Sequence, residues 1–165
     1  ADQSTSDTLL CLSSGAVAAP ATDAELAAFE EALTELCTAL AGDVARNGEG
    51  TKHVIRVAVR GAPTPELARG VGKAVVNSPL FKCAVAGNDP NVGRLVAAVG
   101  SYLGRTAPEL ELQGASMRMG GQTIFTGGAF ALSPALEDEL HEHLLGASLK
   151  PPGEPSAPPY PPDER

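Results

Sequence analysis

A single carboxylate stands between two glycines at Gly48-Glu49-Gly50, within the run ARNGEGTKH at residues 45–53. Flanking glycines let the backbone bend sharply, so that one acid can project into a cleft. A carboxylate held this way suits a substrate ammonium group. The competing reading is a solvated loop acid, and the local residues alone favour it. A second candidate is the corner Gly87-Asn88-Asp89-Pro90-Asn91 within SPLFKCAVAGNDPNVGRLVAAVG, residues 78–100. Gly87 tolerates a strained backbone, Asp89 can cap a helix, and Pro90 fits a first helical turn. Gly93 allows close packing of that turn. The exposed amides of such a helix start can hold an anion, although Asp89 competes for that place and structural capping is the simpler account. A third stretch, QSTSDT at 3–8, gathers small hydroxyls that can line a pocket or merely build a turn.

Other chemistry finds little support. His53 starts an extended run, and His141 and His143 fall near the end of a helical pattern, where positive charge suits the dipole. Neither a Ser-His-Asp nor a Cys-His arrangement can be assigned. The 18 glycines form no GxGxxG after a strand and no GxxxxGK[ST], so nucleotide binding is weakly supported. Cys11, Cys37 and Cys83 are widely spaced in apolar surroundings. They read as buried free thiols of a reducing cytosol rather than as a disulfide or a metal site, with Cys83 packed in a strand.

Regular elements must position these groups. Residues 8–14, TLLCLSS, predict a short buried strand. Thr22-Asp23-Ala24-Glu25 has the form of a capping box. Behind it Leu26, Phe29, Leu33, Leu36 and Leu40 mark one face of a helix over 23–46. Residues 52–60 alternate, with Ile55, Val57 and Val59 on one side and Arg56 and Arg60 on the other, which predicts a half-buried strand. Thr64-Pro65 opens a second helix ending before Ser78-Pro79. Residues 80–86 predict a strand, and Asp89-Pro90 a third helix with Val92, Leu95, Val96, Val99 and Leu103 facing inward. Weaker strands at 110–119 and 122–126 meet at Gly120-Gly121 as a hairpin. Ser133-Pro134 opens a last helix with Leu136, Leu140 and Leu144, closed at Gly146. From Lys150 the chain becomes Pro-rich, with seven of 14 prolines, and reads as a linker or tail at 150–165. The pattern favours an α/β layered sandwich with a mixed sheet.

Composition narrows the partners. The 165 residues suffice for one domain with its own core. Twenty acidic against 12 basic side chains give a net charge of −8, which disfavours a nucleic-acid partner. No apolar run is long enough to span a membrane. The chain begins Ala-Asp-Gln, without Met or a signal-like segment, as expected of a piece of something longer.

Three blocks carry a resemblance. STSDT at 4–8, NGEGTK at 47–52 and NSPLFKCAVAGNDPNVGRLVAAVG at 77–100 are similar, in order and separation, to motifs of the ornithine/glutamate N-acetyltransferase family of arginine biosynthesis. Residues 105–149 fit more loosely. The resemblance implies a layered αββα-type sandwich with a mixed sheet, of the ArgJ/DmpA-like N-terminal-nucleophile type, incomplete here at both ends, with residues 1–149 part of the β-chain domain. Members of the family cut themselves into two chains. The new N-terminal Thr of the second chain moves an acetyl group from N-acetylornithine to glutamate, and its free α-amine serves as base. The first (α) chain supplies oxyanion-hole donors.

The resemblance further implies a cytoplasmic enzyme that pairs α and β chains into a hetero-oligomer. It needs no metal or nucleotide, and acetyl-CoA is a further donor in bifunctional members. It places Glu49 on the substrate and Lys82, Asp89, Asn91 and Arg94 at or beside the site. The nucleophilic Thr is expected outside this chain. Three differences stand out: GEGTK where the family has GEGATK, Lys82-Cys83-Ala84 where it has Lys-Thr-Ala, and Val92 where it has Trp. They leave two alternatives open, a non-catalytic paralogue acting as a binding or assembly subunit and a same-fold acyltransferase or hydrolase of secondary metabolism.

Overall fold

The computed structural model describes residue 6 and residues 8–149. The STSDT segment, apart from Ser6 and Thr8, and the Pro-rich stretch from 150 lie outside them. Five helices and three strands follow in the order α1 (Asp23–Arg46), α2 (Pro65–Val76), α3 (Pro79–Ala86), α4 (Val92–Thr106), β1 (Ser116–Met119), β2 (Gln122–Thr126), β3 (Ala129–Phe130) and α5 (Pro134–Gly146).

The helix starts are written locally. Thr22 and Glu25 form the expected capping box, the Thr hydroxyl accepting from the Glu25 amide and the Glu carboxylate accepting from the Thr22 amide. This draws the Glu25 pKa below its ordinary value, chiefly through the Ala21 amide and then through the Thr22 hydroxyl and amide. Helices α2, α3 and α5 share one device. A Ser or Thr hydroxyl accepts from the amide three residues on, and Pro follows it at the first helical position: Thr64-Pro65, Ser78-Pro79 and Ser133-Pro134.

Two apolar clusters make one core. The larger gathers Val75, Phe81, Val85, Val99, Leu103 and Leu144 from α2, α3, α4 and α5. The smaller joins Val92, Ile124 and Leu140, and Leu95, Met117 and Met119 pack against both. Ile124 and Leu140 are fully buried, each stabilising by about 1.5–3 kcal/mol relative to exposure. The sheet is an antiparallel meander, β1-β2-β3. Two glycine pairs at positive φ, Gly120-Gly121 and Gly127-Gly128, make its turns.

Several expectations are corrected. Residues 80–86 are helical, not a strand. The Ser78 cap and Pro79 start a helix, and the apolar run then divides by helical period, with Phe81, Ala84 and Val85 buried while Leu80, Lys82 and Cys83 are exposed. Residues 8–14 form no strand and are exposed, Leu9 at 84% and Leu12 at 89%, because no neighbouring strand offers them a ladder. Residues 52–60 show the expected alternation of burial, yet they are assigned to no sheet. All three thiols are exposed rather than buried. The first of the weaker strands begins at Ser116, not 110, and the short β3 was not expected. Among the described residues helices and strands mix as expected, but the sheet is antiparallel rather than mixed.

Candidate functional site

The corner at 87–94 joins a helix to a helix. α3 ends in a Schellman turn: the Asn88 amide donates to Val85 O and the Asp89 amide to Ala84 O, with Asn88 at φ 58 in the left-handed position usually held by Gly. His141 of α5 reaches across and its Nδ1 donates to Asn88 O at 2.8 Å, the carbonyl being able only to accept. A histidine that the spacing alone left without a role thus anchors the corner. The signal for it was weak, since the contact spans 53 residues of sequence.

Asn91, not Asp89, is the N-cap of α4. Its Oδ1 accepts from the Arg94 amide at 3.2 Å, and its Nδ2 donates to Asp89 Oδ2 at 3.2 Å. Asp89 therefore acts one step back, by orienting the capping amide. Arg94 Nη1 donates to Leu80 O at 2.9 Å. Gly93 meets only the Asn91 side chain at ordinary distance, so it serves no close helix packing. Lys82 projects from the exposed side of α3.

These residues bound a shallow concavity of about 350 Å³, lined by Ser78, Leu80, Asn91, Gly93, Arg94 and the adjoining alanines of α4. The start of α3 and the start of α4 thus face one hollow. Its first-turn amides are partly used internally, Val92 N–H by Pro90 O and Arg94 N–H by Asn91. The guanidinium keeps further donors beyond the one given to Leu80. Such a surface can hold a carboxylate or a carbonyl oxygen, with geometry set by two helix termini.

Glu49 sits elsewhere. α1 ends at Arg46, Asn47 caps it, and Gly50 turns the chain at φ 70. The acid is exposed and lines neither this concavity nor a second one of about 540 Å³ between the extended run near Val57 and β1. The structure brings Asp89, Asn91 and Arg94 together, and it does not bring Glu49 to them. Among the described residues no group of three or more His, Cys, Asp or Glu side chains could hold a metal ion. No helix there is long and apolar enough to cross a membrane.

The site and its frame define an α/β scaffold in which two capped helix starts, tied by an arginine, shape a small polar hollow. A model of the ArgJ family matches residues 1–149, and the chain belongs to that family. It is 38% identical over 158 residues to the arginine biosynthesis bifunctional protein ArgJ of Bradyrhizobium diazoefficiens, covering 92% of this chain and 36% of that protein. It is 38% identical over 147 residues to the glutamate N-acetyltransferase Oat2 of Streptomyces clavuligerus, covering 88% and 36%. With the ArgJ protein of Rhodococcoides fascians it shares 46% over 99 residues, 60% of this chain and 24% of that protein. The chain thus spans about a third of the length of the first two relatives. No solved structure matches it.

Proposed function

We propose that this chain is part of the β chain of a glutamate N-acetyltransferase, forming one wall of its amino-acid site within a layered αββα sandwich. The observation that carries the reading is the shared hollow. The Ser78-Pro79-Leu80 block and the Asn91-Val92-Gly93-Arg94 block, separate in sequence, line one surface in a chain of the ArgJ family. The reaction is a double displacement. A Thr hydroxyl outside this chain attacks the acetyl carbonyl of N-acetylornithine, an acetyl-Thr ester forms, and ornithine leaves as the amine. The amine of glutamate then attacks the ester, giving N-acetylglutamate and freeing the hydroxyl. Acetyl-CoA is a second donor to the same Thr. An α chain from the same precursor completes the oxyanion hole and the hetero-oligomer, in the cytoplasm.

In this reading Glu49 receives the substrate ammonium. Arg94 and Asn91 fix the hollow, Asp89 orients Asn91, and Lys82 supports the neighbouring rim. The test is acetyl transfer from N-acetylornithine to glutamate by the full-length protein, beside the 165-residue chain alone. Transfer by the former and none by the latter is expected. Turnover by the latter would overturn the assignment of roles.

One observation favours a second reading, a binding or assembly subunit without catalysis: Glu49 is exposed and outside both concavities. The coding sequence upstream decides between them. An Ala-Thr cleavage junction supports the enzyme, and its absence supports the subunit.

A further inference from the structure

The chain has four asparagines, Asn47, Asn77, Asn88 and Asn91, and of these Asn47 alone precedes a glycine. The side chain of an asparagine can be attacked at Cγ by the backbone nitrogen of the next residue, closing a five-membered ring. A glycine in that place has no Cβ to keep the nitrogen away. The structure sharpens the difference. After the other three asparagines the nitrogen is held by a hydrogen bond. The Ser78 amide donates to Val75 O at 3.0 Å, the Asp89 amide to Ala84 O at 2.9 Å and the Val92 amide to Pro90 O at 2.8 Å. The Gly48 amide makes no described hydrogen bond. Asn47 is exposed at the C-terminal cap of α1. One contact restrains its carboxamide, Nδ2 donating to Asp43 O at 2.8 Å. No residue of α1 is buried, so its last turn opens readily.

We propose that Asn47-Gly48 is a self-modification site, at which Asn47 deamidates through a succinimide and leaves an aspartate or isoaspartate two residues before Glu49. When the last turn of α1 opens, the Gly48 nitrogen gives its proton to solvent base and bonds to Asn47 Cγ. The Cγ–Nδ2 bond breaks, and Nδ2 departs as ammonia. Water then opens the ring at either carbonyl, giving aspartate or isoaspartate. The sum is asparagine and water converted to acid and ammonia, with no oxidant, reductant or cofactor. The product changes this corner in three ways. It lacks the Nδ2 donor to Asp43 O. It sets a negative charge beside the C-terminal carbonyls of α1, where the helix dipole disfavours one. As isoaspartate it adds a main-chain carbon ahead of Gly48-Glu49-Gly50, which re-aims the Glu49 carboxylate. The inference concerns the chain's own covalent chemistry and does not rest on acetyl transfer, so turnover and deamidation can fail separately.

The test incubates freshly purified full-length protein in mildly alkaline native buffer, with a second sample in urea. Each asparagine is followed by peptide mass and by isoaspartyl methyl-ester formation. In native buffer Asn47 should convert roughly tenfold or more faster than Asn77, Asn88 and Asn91, since its attacking nitrogen is neither screened by a Cβ nor held. Gly48→Ala should slow the conversion by a similar factor. The wild-type comparison among the four sites stands without that variant, whose Cβ would crowd Thr51 Oγ1. Asn47→Asp carries the new charge from the start, and amide hydrogen exchange in the last turn of α1 should become roughly two- to fivefold faster. Conversion at Asn47 no faster than at the other three asparagines would overturn the proposal. Conversion in urea but not in native buffer would also overturn it, because the fold would then protect the site.

Discussion

Arg94 of α4 donates from Nη1 to the carbonyl oxygen of Leu80, 2.9 Å away at the start of α3. This one bond couples two helices whose starts line the same hollow. Arg94→Ala should destabilise the chain by about 0.5–1.5 kcal/mol, the range of an ordinary hydrogen bond, because solvent screens this exposed contact. Arg94→Lys should recover only part of that, since an ammonium lacks the planar fork. Urea unfolding of the three proteins checks both.

Asn91 caps α4 and Asp89 orients it. Asn91→Ala should cost about 1 kcal/mol and Asp89→Ala a smaller amount, while Asn91→Asp should not be spared, because it sets a second carboxylate where Nδ2 donates to Asp89. If Asp89 were itself the cap, Asn91→Ala and Asp89→Ala would exchange ranks. Thermal melts separate the orders, as about 1 kcal/mol moves Tm by roughly 2–4 °C in a domain of this size.

Gly70 on α2 is a hole filled by Tyr102 of α4. A methyl group on Gly70 would overlap the Tyr102 hydroxyl and ring. Gly70→Ala gains up to about 1 kcal/mol of helix propensity but displaces an aromatic side chain packed on the core, so net destabilisation of about 1–3 kcal/mol is expected. In the Tyr102→Ala background the same change should become neutral or stabilising.

The capping box gives a pH dependence. The Glu25 pKa is held down in the folded chain by the Ala21 amide first, then by the Thr22 hydroxyl and amide. A depressed acid contributes stability that is fully present above its unfolded value of about 4.3 and lost as pH falls through the lower folded value. Glu25→Gln should remove that acid-side loss of α1 helicity while keeping an acceptor for the cap. Circular dichroism between neutral and acid pH checks the slope.

On the proposed acetyltransferase reading, with Glu49 receiving the substrate ammonium, Glu49→Gln in the full-length protein should raise KM for the amino acid by roughly tenfold or more and leave kcat less affected. Unchanged kinetics would remove Glu49 from the site.

Much of the frame could be read from the sequence because its signals are local. The Thr22 capping box, the three Ser/Thr-Pro starts and the Gly120-Gly121 turn each need only a few adjacent residues, and each lies where the spacing placed it. The failures occur where distant partners decide. Residues 80–86 are apolar enough for either a strand or a helix, and the Ser78 cap settled the matter in favour of a helix. Residues 8–14 and 57–60 carry strand patterns, but a ladder needs a neighbour that pattern cannot supply. At the corner, the helix start was legible from its block, but the cap expected of Asp89 is Asn91. The roles of Asn88 and His141 were not legible, since they depend on a contact between elements far apart in the chain.

The meander of β1, β2 and β3 joins only sequence neighbours through paired-glycine turns. Its contact order is therefore low, and its closure demands little chain entropy. Such a unit can assemble within microseconds of emerging, before the remote elements have met. It then presents a finished rim on which later, slower pieces can register, so the timing of assembly is written into four glycines.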